Sequence, residues 1–333
     1  MIDRPGTTEF PLREYGVASF LMRLLRAREA ALVIIVFTLI VALSFLSPYF
    51  LTWGNMRAVI LSFSTEGIVV VGMTILIIAG GFDLSVGAVM ALAMAVAARL
   101  TGEGVNVWLA SLAGLSAAAG IGATMGVFVT RIGLNFFVVS LAMLSIVRGL
   151  AFVVTRGAPV PLVNPPAAFS FIGQGRISGV PFAIMLFLVV VIIGDILLRY
   201  SKPMRLVVYT GSNERAAIYS GINTRKVKFW AAVLCSSLAG LAGLIFMSKF
   251  GSATPTFGVG SELNIIAAAI IGGASLNGGR GSILGAILGI ALLSLVTNGM
   301  ILLSIPVFWQ EATKGGILLT AVTIDHLITS RTR

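Results

Sequence analysis

The chain has 333 residues, 58% of them apolar and only 11% charged, with a mean hydropathy of +1.04. A globular chain carries about 25% charged residues to cover its surface, so this composition excludes a water-soluble domain and points to a polytopic membrane protein. The net charge of +11 is dispersed between apolar runs instead of gathered on one face, which argues against a nucleic-acid partner and suits an orientation signal.

Residues 1–29 are polar and basic and lead into an apolar stretch with no small-residue cleavage pattern, so the first hydrophobic segment reads as a retained helix. A helix needs about 20 mostly apolar residues to cross the hydrocarbon layer. Candidate spans fall at 30–48, 57–79, 84–99, 107–129, 135–154, 181–199, 227–247, 262–278, 281–298 and 315–329, an all-α body of about ten transmembrane helices. The third and eighth are short enough to be broken or re-entrant. An even number of spans puts both termini on one side. The basic residues choose which side, because Arg199, Lys202, Arg205, Arg215, Arg225, Lys226 and Lys228 all flank one inter-span segment, and the positive-inside rule places it with the termini in the cytoplasm. The expected organisation is a cytoplasmic segment 1–29, a transmembrane body 30–329 with a cytoplasmic loop at about 200–226, and a tail 330–333. The Pro-rich stretch 155–180 is expected as a long outer loop.

Glycine spacing predicts the packing. "GSILGAILG" sets Gly281, Gly285 and Gly289 four apart on one helical face, and Gly122 and Gly126 repeat the interval. Small residues so placed let helix backbones approach closely where lipid supplies no hydrophobic drive.

Much chemistry is excluded. No GxxxxGK[ST] occurs, so the chain has no Walker-type phosphate cradle of its own, and no cofactor is expected. The lone Cys235 lies in an apolar run and the lone His326 near the C-terminus, which gives no basis for a disulfide framework, a metal site or a His-dependent intramembrane enzyme. Transport or conduction remains. Acidic residues in apolar surroundings are then informative, since an ionisable group at membrane depth is costly. Asp195 stands four residues before Arg199 and reads as a structural pair. Glu262 and Glu311 read as solvated near outer helix ends. Glu66 lies well inside the second span, as half of a buried pair with Arg148, a group lining a solute path, or a proton-coupling carboxylate.

Two segments interrupt apolar runs in similar ways. "GGFDLSVGAVMAL" at 80–92 offers Asp83 and Ser85 as caps for a new helix, or as a hinge in the path. "IIGGASLNGGRGSILGAILG" at 270–289 repeats the scheme of Gly pair, polar turn and new helix. "GSNERAAIYSGIN" at 211–223 is polar: Asn213 can cap a helix with Glu214 in its first turn, Ala216, Ala217 and Ile218 give it a small apolar face, and Gly221 can end it. So short a helix needs a partner surface.

These segments, with "VRGLAFVVTRGAPV" at 147–160 and "NGMILLSIPVFWQEATKGGILL" at 298–319, resemble the inner-membrane permease subunits of ABC importers for simple sugars. That group serves ribose, xylose, arabinose, galactose and rhamnose and includes the autoinducer-2 permeases. The resemblance spans about residues 35–325. It implies the ribose-permease type of fold, a separate ATPase subunit with two fused cassettes, a second permease copy or paralogue, and a periplasmic solute-binding protein. It also implies that 211–223 is the coupling helix, with Asn213, Glu214, Ala217 and Gly221 at the matching positions. Phe82, Ser212 and Ala142 depart from the usual pattern without removing a charged or capping group, and Glu66 is less typical. A hydroxyl-rich solute would be met by amides, hydroxyls and aromatic faces; the candidates are Asn135, Phe137, Phe257, Asn264, Asn298, Trp309 and Gln310, beside Glu66, Asp83 and Ser85. The rival reading is a secondary transporter or channel independent of ATP. Branched-chain amino acids, the substrates of distantly related permeases, are an alternative cargo.

Overall fold

The computed structural model describes residues 28–330; of the expected N-terminal segment only residues 28 and 29, and of the expected C-terminal tail only residue 330, are among them. The elements are helices α1 (Arg28–Leu46), α2 (Trp53–Ile78), α3 (Val86–Gly102), α4 (Val107–Val127), α5 (Phe136–Thr155), α6 (Ala167–Gln174), α7 (Phe182–Tyr200), α8 (Lys202–Ser212), α9 (Glu214–Tyr219), α10 (Thr224–Phe250), α11 (Ser261–Ile271), α12 (Ile283–Leu302) and α13 (Val307–Ser330). Four two-residue strands, β1 (Val160–Pro161), β2 (Arg176–Ile177), β3 (Val180–Pro181) and β4 (Ser252–Ala253), pair β1 with β4 and β2 with β3, both antiparallel.

Among the described residues seven helices, α1, α2, α4, α5, α7, α10 and α12, are long and apolar enough to cross a membrane. Three of the ten expected spans are not among these seven: the one at 315–329, which lies in α13, and two that fall short in length. Helix α3 has 17 residues, and the run read as 262–278 shrinks to the 11 residues of α11. Both lie beside a glycine pair where the chain unwinds, so the apolar run continues past the helix. The Pro-rich loop is also more structured than expected: Pro166 starts α6, whose Gly173 N–H bonds the Ser248 hydroxyl of α10 at 2.9 Å, and that hydroxyl donates to the Phe169 carbonyl at 2.6 Å.

Local signals set the helix ends. Thr52, Asn106, Asn135, Asn223 and Ser282 each accept a first-turn backbone N–H, and Gly251 closes α10 at φ 65°. The core is built on α2, α3 and α10. Ile68 to Ile78 of α2 and Val86 to Ala98 of α3 are almost continuously buried, so both are sheathed by other helices. Helix α1 is mostly exposed and packs on α12 through Leu43 over Gly299.

The expected glycine seams are real contacts. A Cβ at Gly289 would fall 3.0 Å from the Ala268 carbonyl carbon of α11, and one at Gly122 would fall 2.7 Å from the Ala232 carbonyl oxygen of α10. Backbone meets backbone there, as small-residue packing in lipid requires. Replacing Gly289 by Ala is therefore expected to cost about 1–3 kcal/mol by overpacking, read as a lowered unfolding temperature of the detergent-solubilised protein. Replacing Gly120, whose Cβ meets open space, should lower nothing.

Candidate functional site

Helices α2, α11, α12 and α13 line an open cavity of about 370 Å³. Ser62 and Glu66 reach it from α2, Asn264 from α11, Ser294, Thr297 and Asn298 from α12, and Lys314 from α13; Val59, Ile290, Leu293 and Ile301 make its aliphatic surface. The α12 members recur every three or four residues and so share one face of that helix. Asn55, near the start of α2, and Asn298 exchange amide hydrogen bonds of 3.1 and 2.8 Å, which ties the two helices at this end. Glu66 accepts from the Ser261 hydroxyl at 3.0 Å, and Lys314 pairs with Glu311 at 2.9 Å. One carboxylate, one ammonium, amides and hydroxyls thus face aliphatic carbon in one cavity. Such a lining can exchange hydrogen bonds with a polyhydroxylated solute while its C–H surface stays in apolar contact.

The path residues expected from the sequence divide. Glu66, Asn264 and Asn298 meet in this cavity and the others do not. Asp83 and Ser85 are fully buried together: Asp83 accepts from the Ser85 N–H and hydroxyl, both at 2.6 Å, and from the Ser236 hydroxyl of α10 at 3.3 Å. The carboxylate therefore fixes the turn just before α3 to α10, one step short of the first-turn amides it was expected to cap. Asn135 caps α5, and Phe137 lies against Phe82 with ring centroids 6.0 Å apart. Phe257 stacks on Phe246 at 3.5 Å. Trp309 is exposed, whereas Gln310 is buried and donates to the Ile305 carbonyl at 3.4 Å.

Two readings of charge are corrected. Arg148 does not pair with Glu66; its guanidinium donates to the Pro255 and Phe257 carbonyls, both at 2.7 Å, pinning the loop before α11. Glu262 is not solvated but 9% exposed, with Oε1 accepting from the Gly260 N–H at 3.2 Å and Oε2 over Gly87 of α3. Asp195 and Arg199 pair at 2.7 Å as expected. Lys314, which lines the cavity and pairs with Glu311 three residues before it, was not among the path residues expected from the sequence.

At the far end of α2 lies the polar segment. Asn213 accepts the Ala216 N–H at 3.0 Å and starts α9, Glu214 pairs with Lys228 of α10 at 2.6 Å, and Gly221 turns at φ 80° so that the Ile222 N–H reaches the Ala217 carbonyl at 3.0 Å. The small apolar face is split. Ala217 is buried against the protein's own helices, while Ala216, Ile218 and Tyr219 face outwards, Tyr219 at 90% exposure.

Comparison with known proteins gives relatives along nearly the whole chain. The ribose import permease protein RbsC of Escherichia coli (strain K12) is 37% identical, covering 94% of this chain and 97% of its own. RbsC of Bacillus subtilis (strain 168) is 36% identical over 87% of this chain and 90% of its own, and the L-arabinose ABC transporter permease protein AraH of Azospirillum brasilense 33% over 90% and 87%. No solved structure matches. Residues 55–322, which contain the cavity, both interrupted helices and the capped segment, match the family described as "branched-chain amino acid transport system / permease component", and to that family of multi-pass membrane permeases the chain belongs.

Proposed function

We infer that this protein is the permease subunit of an ATP-binding-cassette importer for a simple sugar, set in the inner membrane with both termini and the loop at about 200–226 in the cytoplasm. The observation that carries the reading is the arrangement on α2 and α12: a polar cavity at one end and, at the other, a short capped helix offering Ile218 and Tyr219 outwards. The relatives named for ribose and arabinose supply the cargo class, and the cavity suits it. Its one ammonium pairs with Glu311, and the rest of its polar lining is a carboxylate, amides and hydroxyls. In this reading a periplasmic binding protein delivers the sugar, a second permease copy completes the pore, and a separate ATPase with two fused cassettes supplies the power stroke through α9. Asn213, Glu214 and Gly221 shape α9, and Ala217 seats it. The interrupted runs around α3 and α11, together with α13, complete the ten spans.

Two measurements test this. Replacing Glu214 and Gly221 together by Ala removes the Lys228 pair and strains the turn at φ 80°; solute-stimulated ATPase activity should be abolished while membrane insertion is intact, and unchanged stimulation refutes the coupling assignment. Replacing Ser294 by Trp fills the cavity from α12. Uptake of D-ribose into vesicles should then fall by about tenfold or more, equivalent to at least ~1.4 kcal/mol, with the ATPase subunit still co-purifying.

A further inference from the structure

Helix α8 ends at Ser212 and α9 begins at Glu214, so Asn213 closes one helix and caps the next with no slack between them. Displacement of α9 therefore reaches Ser212 and Gly211 within two residues. What these residues rest on is main chain. A Cβ at Gly211 would fall 2.6 Å from the Gly279 nitrogen and 2.9 Å from the Ile78 carbonyl carbon, and one at Gly278 would fall 2.8 Å from the Gly211 carbonyl oxygen. The Gly279 N–H donates to the Ile78 carbonyl at 2.8 Å, and a Cβ at Gly281 would fall 2.8 Å from Cγ1 of Ile78. Gly278 and Gly279 take φ of +80° and +74°, a region closed to most side chains. Three stretches of backbone thus meet: the run-in to α9, the last residue of α2, and the turn that leads into α12.

We propose that this junction is a rigid link that delivers the motor's stroke to α2 and α12 together, with Gly211, Gly278 and Gly279 as its positioning residues. Main chain in contact with main chain has no rotamers through which a push can dissipate, and close-packed interiors transmit strain. Glu66 lies twelve residues along α2 from Ile78, about 18 Å at 1.5 Å per residue, and α12 bears Ser294, Thr297 and Asn298. One push accordingly moves two walls of the sugar cavity as a unit against α13 and its Lys314. The proposal rests on the reading of α9 as the coupling helix and goes beyond it, since it names where the force enters the membrane body.

The test uses the permease assembled with its ATPase subunit in lipid, with spin labels on Cys placed at Ser62 (α2) and Gly316 (α13). The distance between them is compared in the nucleotide-free and vanadate-trapped complexes. The expected result is a nucleotide-dependent change that is lost in Gly211→Ala, although the ATPase subunit still co-purifies and hydrolyses ATP. A change that survives Gly211→Ala overturns the link and leaves the function standing; no change in the parent complex overturns the function and the link together. A second arm joins Ile78→Cys to Gly281→Cys by a disulfide. A rigid link predicts equal distance changes in the oxidised and reduced protein. Loss on oxidation with recovery on reduction shows that the two helix ends separate during the cycle, which also overturns the proposal.

Discussion

Unwound backbone within an apolar shell must find its hydrogen bonds inside the protein, and this constraint organises the structure. After α2 the chain turns through Gly80 and Gly81, whose N–H groups bond back to the Ile77 and Leu76 carbonyls, and Asp83 then holds Ser85 and Ser236. After α11 the Gly272, Gly273 and Ala274 N–H groups return to the last carbonyls of that helix, Ser275 bonds across the turn to Arg280, and Gly279 bonds to Ile78. Each break is satisfied partly by its own helix and partly by a distant one. The distant partner is what makes the break a joint between helices instead of a frayed end.

Small residues follow from the same requirement. A polar turn is bonded by a neighbouring main chain only if that chain comes within hydrogen-bonding distance, which side chains larger than hydrogen prevent. Hence Gly211, Gly278 and Gly285 lie where backbone meets backbone, and hence α11 can be as short as 11 residues: α12 covers it along Gly285 and Gly289. The buried charged groups serve a similar end. Arg148 spends its donors on the carbonyls of the loop before α11, and Glu262 sits over the start of α3. Both hold irregular backbone in place, which leaves Glu66 and Lys314 as the ionisable groups facing the cavity.

Under the proposed function this gives a division of labour along α2 and α12. Their ends near Asn55 and Asn298 are held together by an amide pair beside the cavity, and their other ends meet the run-in to α9.

From the sequence alone came most of the apolar spans, the cap at Asn213, the glycine seams and the position of the capped segment. All of these are read from composition, periodicity or spacing within a few residues, which local physics controls. Tertiary structure alone decided that Glu66, Asn264, Asn298 and Lys314 share one cavity, that Arg148 serves carbonyls and not Glu66, that Glu262 and Ala217 are buried, and that Gly211 touches Ile78 and Gly279. These facts depend on which helices become neighbours and how each is rotated about its axis. That choice is made by the summed packing of segments far apart in the chain, and no single segment carries its signature.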